Sequence, residues 1–192
     1  MIDTNKGERY YTIPLRRGGI GRMDDYKSRG TVMSLLSRSP EETCAFGEYL
    51  GSMLFPGSVV GLVGELGAGK TCCIKGIVRG VNGTSYHDVT SPTFAIIHEY
   101  SGKIPVVHVD AYRIGSNSEL EAIGFDEYLE VGNVVVVEWA DRILNALPEQ
   151  YLMIAFDVFN EYERRIVCRA NGEPYRAVIE QLSEHYCGMC EC

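Results

Sequence analysis

The apolar run Val59-Val60-Gly61-Leu62-Val63 leads straight into Gly64-Glu65-Leu66-Gly67-Ala68-Gly69-Lys70-Thr71. No other junction in the chain narrows the possible folds as much. A strand with no polar face needs cover on both sides, as in parallel sheets flanked by helices. The spacing Gly-x-x-x-x-Gly-Lys-Thr requires a helix to start at Lys70. Its glycines let successive backbone N–H groups turn inward on an anion with no Cβ in the way. The helix start adds its positive dipole end to the same point. A phosphate-binding loop on an α/β scaffold is therefore expected. Gly64, Glu65, Leu66, Gly67, Ala68, Gly69, Lys70, Thr71 and Cys72 would line a nucleoside triphosphate. Lys70 would reach the β and γ phosphates, and the Thr71 hydroxyl would ligate magnesium.

The elements around this loop alternate. Ser39-Pro40-Glu41-Glu42 reads as a capping box with proline at the first helical position. Phe46, Leu50, Met53 and Leu54 then share one helical face, up to Pro56-Gly57. Ile74, Ile77 and Val78 mark a second helix, predicted to stop near Gly80. Residues 104–109 and 134–137 read as buried strands, and 118–129 as a helix capped by Ser118 and Glu121. Leu152, Ile154, Phe156 and Val158 alternate as in a strand, paired as a hairpin with residues 164–170, before a closing helix through Tyr175, Val178, Ile179 and Leu182. The predicted fold is a three-layer α/β P-loop fold, its sheet mainly parallel with an antiparallel C-terminal edge.

Three segments divide the chain. Residues 1–34 carry seven Lys/Arg against four Asp/Glu, net +3, which leaves −11 for the remainder of a total of −8. Glycines interrupt any period there, so this stretch is read as a flexible basic extension. A start placed too early, with Met33 as the alternative, is a second reading. Residues 35–184 form the P-loop domain. The tail from His185 to Cys192 has soft-metal ligand types but no second spaced cysteine pair, and is read as a frayed terminus. The net charge of −8 argues against a broad nucleic-acid-coating surface. Neither a bilayer-spanning run nor a signal peptide is visible, so the seven cysteines are expected to be reduced and the chain cytoplasmic.

A P-loop works with an acidic residue at a neighbouring strand end, which holds magnesium or its waters. Asp110 and Glu138 both meet that description, and each also has a plain reading as a solvated strand-end carboxylate. His108 lies two residues before Asp110, on the same strand face. It reads either as a positioning partner or as a packed structural histidine. The guanine-reading tetrapeptide Asn-Lys-x-Asp is absent, which leaves adenine and hence ATP.

Four segments in fixed order go further: Gly64–Thr71, Ser91-Pro92-Thr93-Phe94, His108-Val109-Asp110-Ala111-Tyr112-Arg113 and Val137-Glu138-Trp139, with residues 119–126 between the last two. Over roughly residues 38–172 the chain resembles the TsaE (YjeE) family, the ATPase of bacterial tRNA threonylcarbamoyladenosine synthesis. The resemblance implies an ATP-hydrolysing accessory to TsaD and TsaB, with tRNA met only through them. It also implies Lys70 on phosphate, Thr71 and Glu138 on magnesium, and Asp110 on the γ-phosphate side. Thr93 falls in a switch-like loop, Trp139 and Asp141 in the nucleotide cleft. Arg164 matches a cleft arginine, in a register shared with Arg165. Cys72 stands where the family often has a second threonine.

Two other classes compete with the accessory ATPase. A P-loop kinase of a small acceptor needs an arginine-bearing lid, and no Arg-rich insertion follows the P-loop helix. An ATP sensor without turnover has less use for two strand-end carboxylates.

Overall fold

Strand β2 (Val59–Val63) is buried along its whole length because both of its faces are covered. The computed structural model describes residues 32–83, 96–130 and 132–186. Before β2 come β1 (Val32–Ser37) and α1 (Pro40–Met53); after it come α2 (Lys70–Asn82), β3 (Ile97–Tyr100), β4 (Val106–Asp110), α3 (Asn117–Ala122), α4 (Phe125–Glu130), β5 (Val134–Glu138), β6 (Tyr151–Val158), β7 (Arg164–Asn171) and α5 (Glu173–His185). Short 3-10 segments, Ala111–Arg113 and Ala140–Ala146, follow β4 and β5.

Among the described residues the sheet runs β1-β7-β6-β2-β5-β4-β3. β6, β2, β5 and β4 are mutually parallel. The expected hairpin is present, with β7 antiparallel to β6. It is not an edge, because β1 pairs antiparallel along its outer side, and β3 adds a second antiparallel margin beside β4. Alternate residues of a strand point to opposite faces. Val60, Leu62, Val134, Val136, Leu152 and Ile154 thus join one core with α1, α2 and α5. Val59, Val63, Val135 and Val137 join the other, with Phe125 and the Ala140–Ala146 segment. The mainly parallel three-layer expectation holds.

Several boundaries differ from the sequence reading. β1 takes in Val32, Met33 and Ser34, assigned above to the extension, and buries Met33 and Leu35. Residues 1–31 lie outside the described residues. His185 belongs to α5, stacked on Tyr49 with ring centroids 3.8 Å apart, while Cys187, Cys190 and Cys192 lie outside the described residues. The expected helix over 118–129 is two helices. Ser116, not Ser118, caps the first, accepting from the Glu119 N–H, and Gly124 breaks the run at φ 69°. α2 continues past Gly80 to Asn82 and ends on Gly83 at φ 67°. Gly80 is a packing residue there, not a terminator.

The capping box at α1 forms one residue out of register. Ser39 Oγ accepts from the Glu42 N–H over 3.1 Å, and Glu42 Oε2 accepts from the Arg38 N–H over 2.7 Å. α1 and α2 lie backbone on backbone. A Cβ on Gly47 or Gly51 would collide with the carbonyl of Cys73 or Ile77, and one on Gly76 or Gly80 with that of Cys44 or Glu48. At the far end of α2, Asn82 clamps Ile104, its amide donating to the carbonyl over 2.8 Å and its Oδ1 accepting from the N–H over 3.2 Å. No described helix is long and apolar enough to cross a membrane.

Candidate phosphate-binding site

The parallel strands end on one rim, and the chain places its polar chemistry there. β2 gives way at Gly64, whose φ of 150° no β-branched residue would adopt readily. A Cβ at Gly64 would also lie 3.0 Å from Phe156. Gly69 precedes α2 at φ 104° with no side chain capping the helix, so the first-turn N–H groups lack intrahelical partners and face the loop. Glu65, Leu66 and Gly67 are exposed, Leu66 at 90%, while Ala68 is buried.

Lys70 is buried and folded back over its own loop. Its Nζ donates to the carbonyls of Gly64 and Glu65, each over 2.8 Å, which leaves one of its three N–H donors. The ammonium also sits 4.0 Å from the centre of the Trp139 ring. Burial draws its pKa below the ordinary lysine value, outweighing the opposing pull of Glu138, Asp110 and Asp141. The ammonium has lost water in advance, so an arriving anion has less hydration to strip.

Thr71 Oγ1 donates to Glu138 Oε1 over 2.9 Å. His108 Nε2 lies 3.1 Å from that same oxygen. Burial raises the Glu138 carboxyl, but His108, the Thr71 hydroxyl and Lys70 together hold it below the usual value. It is therefore an anion at neutral pH. Asp110 ends β4 directly beside Glu138 in the parallel register. Its Oδ1 accepts from the Tyr112 N–H over 3.0 Å and so caps the 3-10 turn after β4.

Trp139 has φ 57°, the one positive φ outside glycine among the described residues. Such strain gathers at functional sites. The bend turns the chain away from β5 and lays the indole between Lys70 and the exposed Tyr112, whose ring centre is 5.0 Å away. Asp141 is exposed on the following segment and contributes to the field at Lys70.

Arg164 and Arg165 separate clearly. Arg165 pairs with Asp157 over 2.7 Å. Arg164 is buried, lies 3.5 Å from where a Cβ on Gly69 would stand, and donates to Thr43 Oγ1 over 3.3 Å. Its Nε has no partner among the described residues. Cys72 Sγ donates to the Pro40 carbonyl over 3.0 Å, and burial pushes its thiol to about 11. Thr93 lies outside the described residues.

Lys70, Thr71, Asp110, Glu138, Trp139, Asp141 and Arg164 thus share one rim with the P-loop. Two contributors had no sequence reading. Thr43 is fully buried, bonded to Ser37 and Arg164, and its place four residues after the Ser39 cap was a usable clue. Tyr112 is visible beforehand only as a member of the His108–Arg113 segment, with no role of its own. Inward N–H groups, an ammonium, a hydroxyl and a carboxylate suit a polyphosphate carrying a hard divalent cation.

The family description "Threonylcarbamoyl adenosine biosynthesis protein TsaE" matches residues 37–166. A Bacillus subtilis tRNA threonylcarbamoyladenosine biosynthesis protein TsaE is 41% identical over 148 residues, covering 77% of this chain and 91% of that protein. The Treponema pallidum protein of the same name is 37% identical over 134 residues, covering 70% and 98%. The crystal structure of Bacillus subtilis YdiB superposes with a TM-score of 0.68 at 35% identity, covering 81% of this chain and 97% of that one.

Proposed function

The chain belongs to the TsaE family of tRNA threonylcarbamoyladenosine biosynthesis, and on that premise we propose that it is a magnesium-dependent ATPase serving the TsaB–TsaD pair. The observation that carries the ATPase reading is the meeting of Thr71 and Glu138 beside Lys70. A hydroxyl on the P-loop helix and a carboxylate on the neighbouring strand end are the two protein ligands that a P-loop magnesium site calls for.

Each residue has a physical task. The loop N–H groups and the α2 start hold the β and γ phosphates. Lys70, already desolvated, adds its ammonium, for which the Gly64 and Glu65 carbonyls keep the place. Thr71 and Glu138 would hold magnesium, which would supply neutralisation of phosphate charge. Asp110, the direct register partner of Glu138, would orient an attacking water. Arg164 lies beside Gly69, where a nucleotide phosphate would bring negative charge. TsaB and TsaD would complete the site and couple turnover to the modification of adenosine in tRNA, contacted through them alone.

Phosphate release from magnesium-ATP tests this directly, with the chain alone and with its cognate TsaB and TsaD. Slow release that rises on adding the pair is expected. Release indifferent to the pair would remove the accessory role, and no release under either condition would remove the ATPase.

A further inference from the structure

We infer that His108 is a positioning residue. It pins one oxygen of Glu138 so that the other is presented to the cation and its waters. The inference rests on the magnesium-nucleotide reading of the site and adds a role to a residue outside the loop.

Two donors converge on a single carboxylate oxygen, Glu138 Oε1: the Thr71 hydroxyl at 2.9 Å and His108 Nε2 at 3.1 Å. Among the described residues no hydrogen bond reaches Oε2. An ionised carboxylate has no proton to give, so Nε2 must carry the hydrogen and the imidazole acts as donor. The other ring nitrogen, His108 Nδ1, is buried and has no partner among the described residues.

The backbone explains why the ring stays in place. His108 lies mid-strand in β4, fully buried, opposite Val136 of β5 and His98 of β3. Glu138 lies two residues beyond Val136, so the imidazole reaches along the sheet to the strand end. A histidine placed only for packing would have no reason to spend its Nε2 on the Glu138 carboxylate. Thr71 cannot hold Glu138 alone, because a cation would draw on the same hydroxyl. His108 keeps Oε1 fixed when Thr71 turns to metal, as partners behind metal ligands commonly do.

The test compares His108→Leu, which removes the donor, with His108→Gln, whose amide restores one near the Nε2 position. Calorimetry with adenylyl imidodiphosphate is run in saturating magnesium and in EDTA. For His108→Leu, affinity in magnesium is expected to fall about tenfold, with the EDTA value unchanged. His108→Gln should recover most of the loss. A full magnesium gain in His108→Leu, or equal losses in magnesium and EDTA for both variants, would overturn the role. A wild type that binds no nucleotide would sink the functional reading instead. In that event long-range proton–nitrogen NMR of the unliganded wild type still decides: a ring protonated at Nε2 supports the positioning role, and a ring protonated at Nδ1 alone refutes it.

Discussion

Thr71 and Glu138 stand 67 residues apart in the chain, yet the hydroxyl of one donates to the carboxylate of the other over 2.9 Å. The contact exists because β5 lies beside β2 and ends level with the start of α2. Substituting Thr71→Val keeps the shape and deletes the hydroxyl. The expected result is a magnesium requirement shifted at least about tenfold upward, with magnesium-free nucleotide binding little changed. Thr71→Ser should stay near wild type. A magnesium titration of ATP hydrolysis reads this, and an unshifted midpoint for Thr71→Val would remove the hydroxyl from the metal site.

Lys70→Ala deletes a charge-assisted contact worth roughly 1.5–3 kcal/mol, or about 10- to 150-fold in affinity for magnesium-ATP. The desolvation cost of burying the ammonium offsets its contacts to the Gly64 and Glu65 carbonyls, so folding stability should not fall in parallel. Calorimetric binding beside a thermal melt separates the two effects. Unchanged affinity would contradict the phosphate role.

Gly51→Ala sets two effects against each other. Helix propensity favours alanine by about 1 kcal/mol. Against it, the new Cβ meets the Ile77 carbonyl, backbone that cannot rotate away. Overpacking of this kind costs about 1–3 kcal/mol. The collision should win, lowering Tm by several degrees at roughly 2–4 °C per kcal/mol for a chain of this size. A raised Tm would mean that the helices part without cost.

Tyr175 gives the fold a dependence on alkaline pH. Its buried hydroxyl accepts from the Val59 N–H over 2.6 Å, and burial raises its pKa although Val59 and Ser58 oppose the shift. A raised folded pKa contributes stability that is complete below the unfolded value near 10 and is lost as pH rises through the folded value. Tyr175→Phe should cost about 1–3 kcal/mol near neutrality, by orphaning the Val59 N–H. Its unfolding free energy should then approach that of wild type above pH 10. Urea unfolding at pH 7 and pH 10.5 measures both, and a gap that does not narrow would refute the assignment.

How much of this could be read beforehand depended on where the information lay. The P-loop and the strand-end acids were legible because spacing, apolar strand and helix period all agree around Gly64–Thr71. β1 was lost although Met33 and Leu35 alternate into the core, since serines and a glycine-rich leader blur its start. β3 has only Ile97–Tyr100, too short for a period to declare itself. The split at Gly124 turns on one positive φ inside an otherwise helical pattern, where a glycine can equally stay helical. The separation of Arg164 from Arg165 depended on Asp157, a partner fixed by strand register that no local pattern reveals.

The bare contact between α1 and α2 also has a mechanical meaning. Helices separated by side chains can absorb a small tilt through rotamer changes; here carbonyl rests against glycine at four points, and nothing yields. The phosphate loop is therefore mounted on a stiff beam about 20 Å long. That helix joins Lys70 at one end to Asn82 at the other, and Asn82 grips the Ile104 backbone. A load on the loop therefore meets backbone on backbone rather than a cushion of side chains.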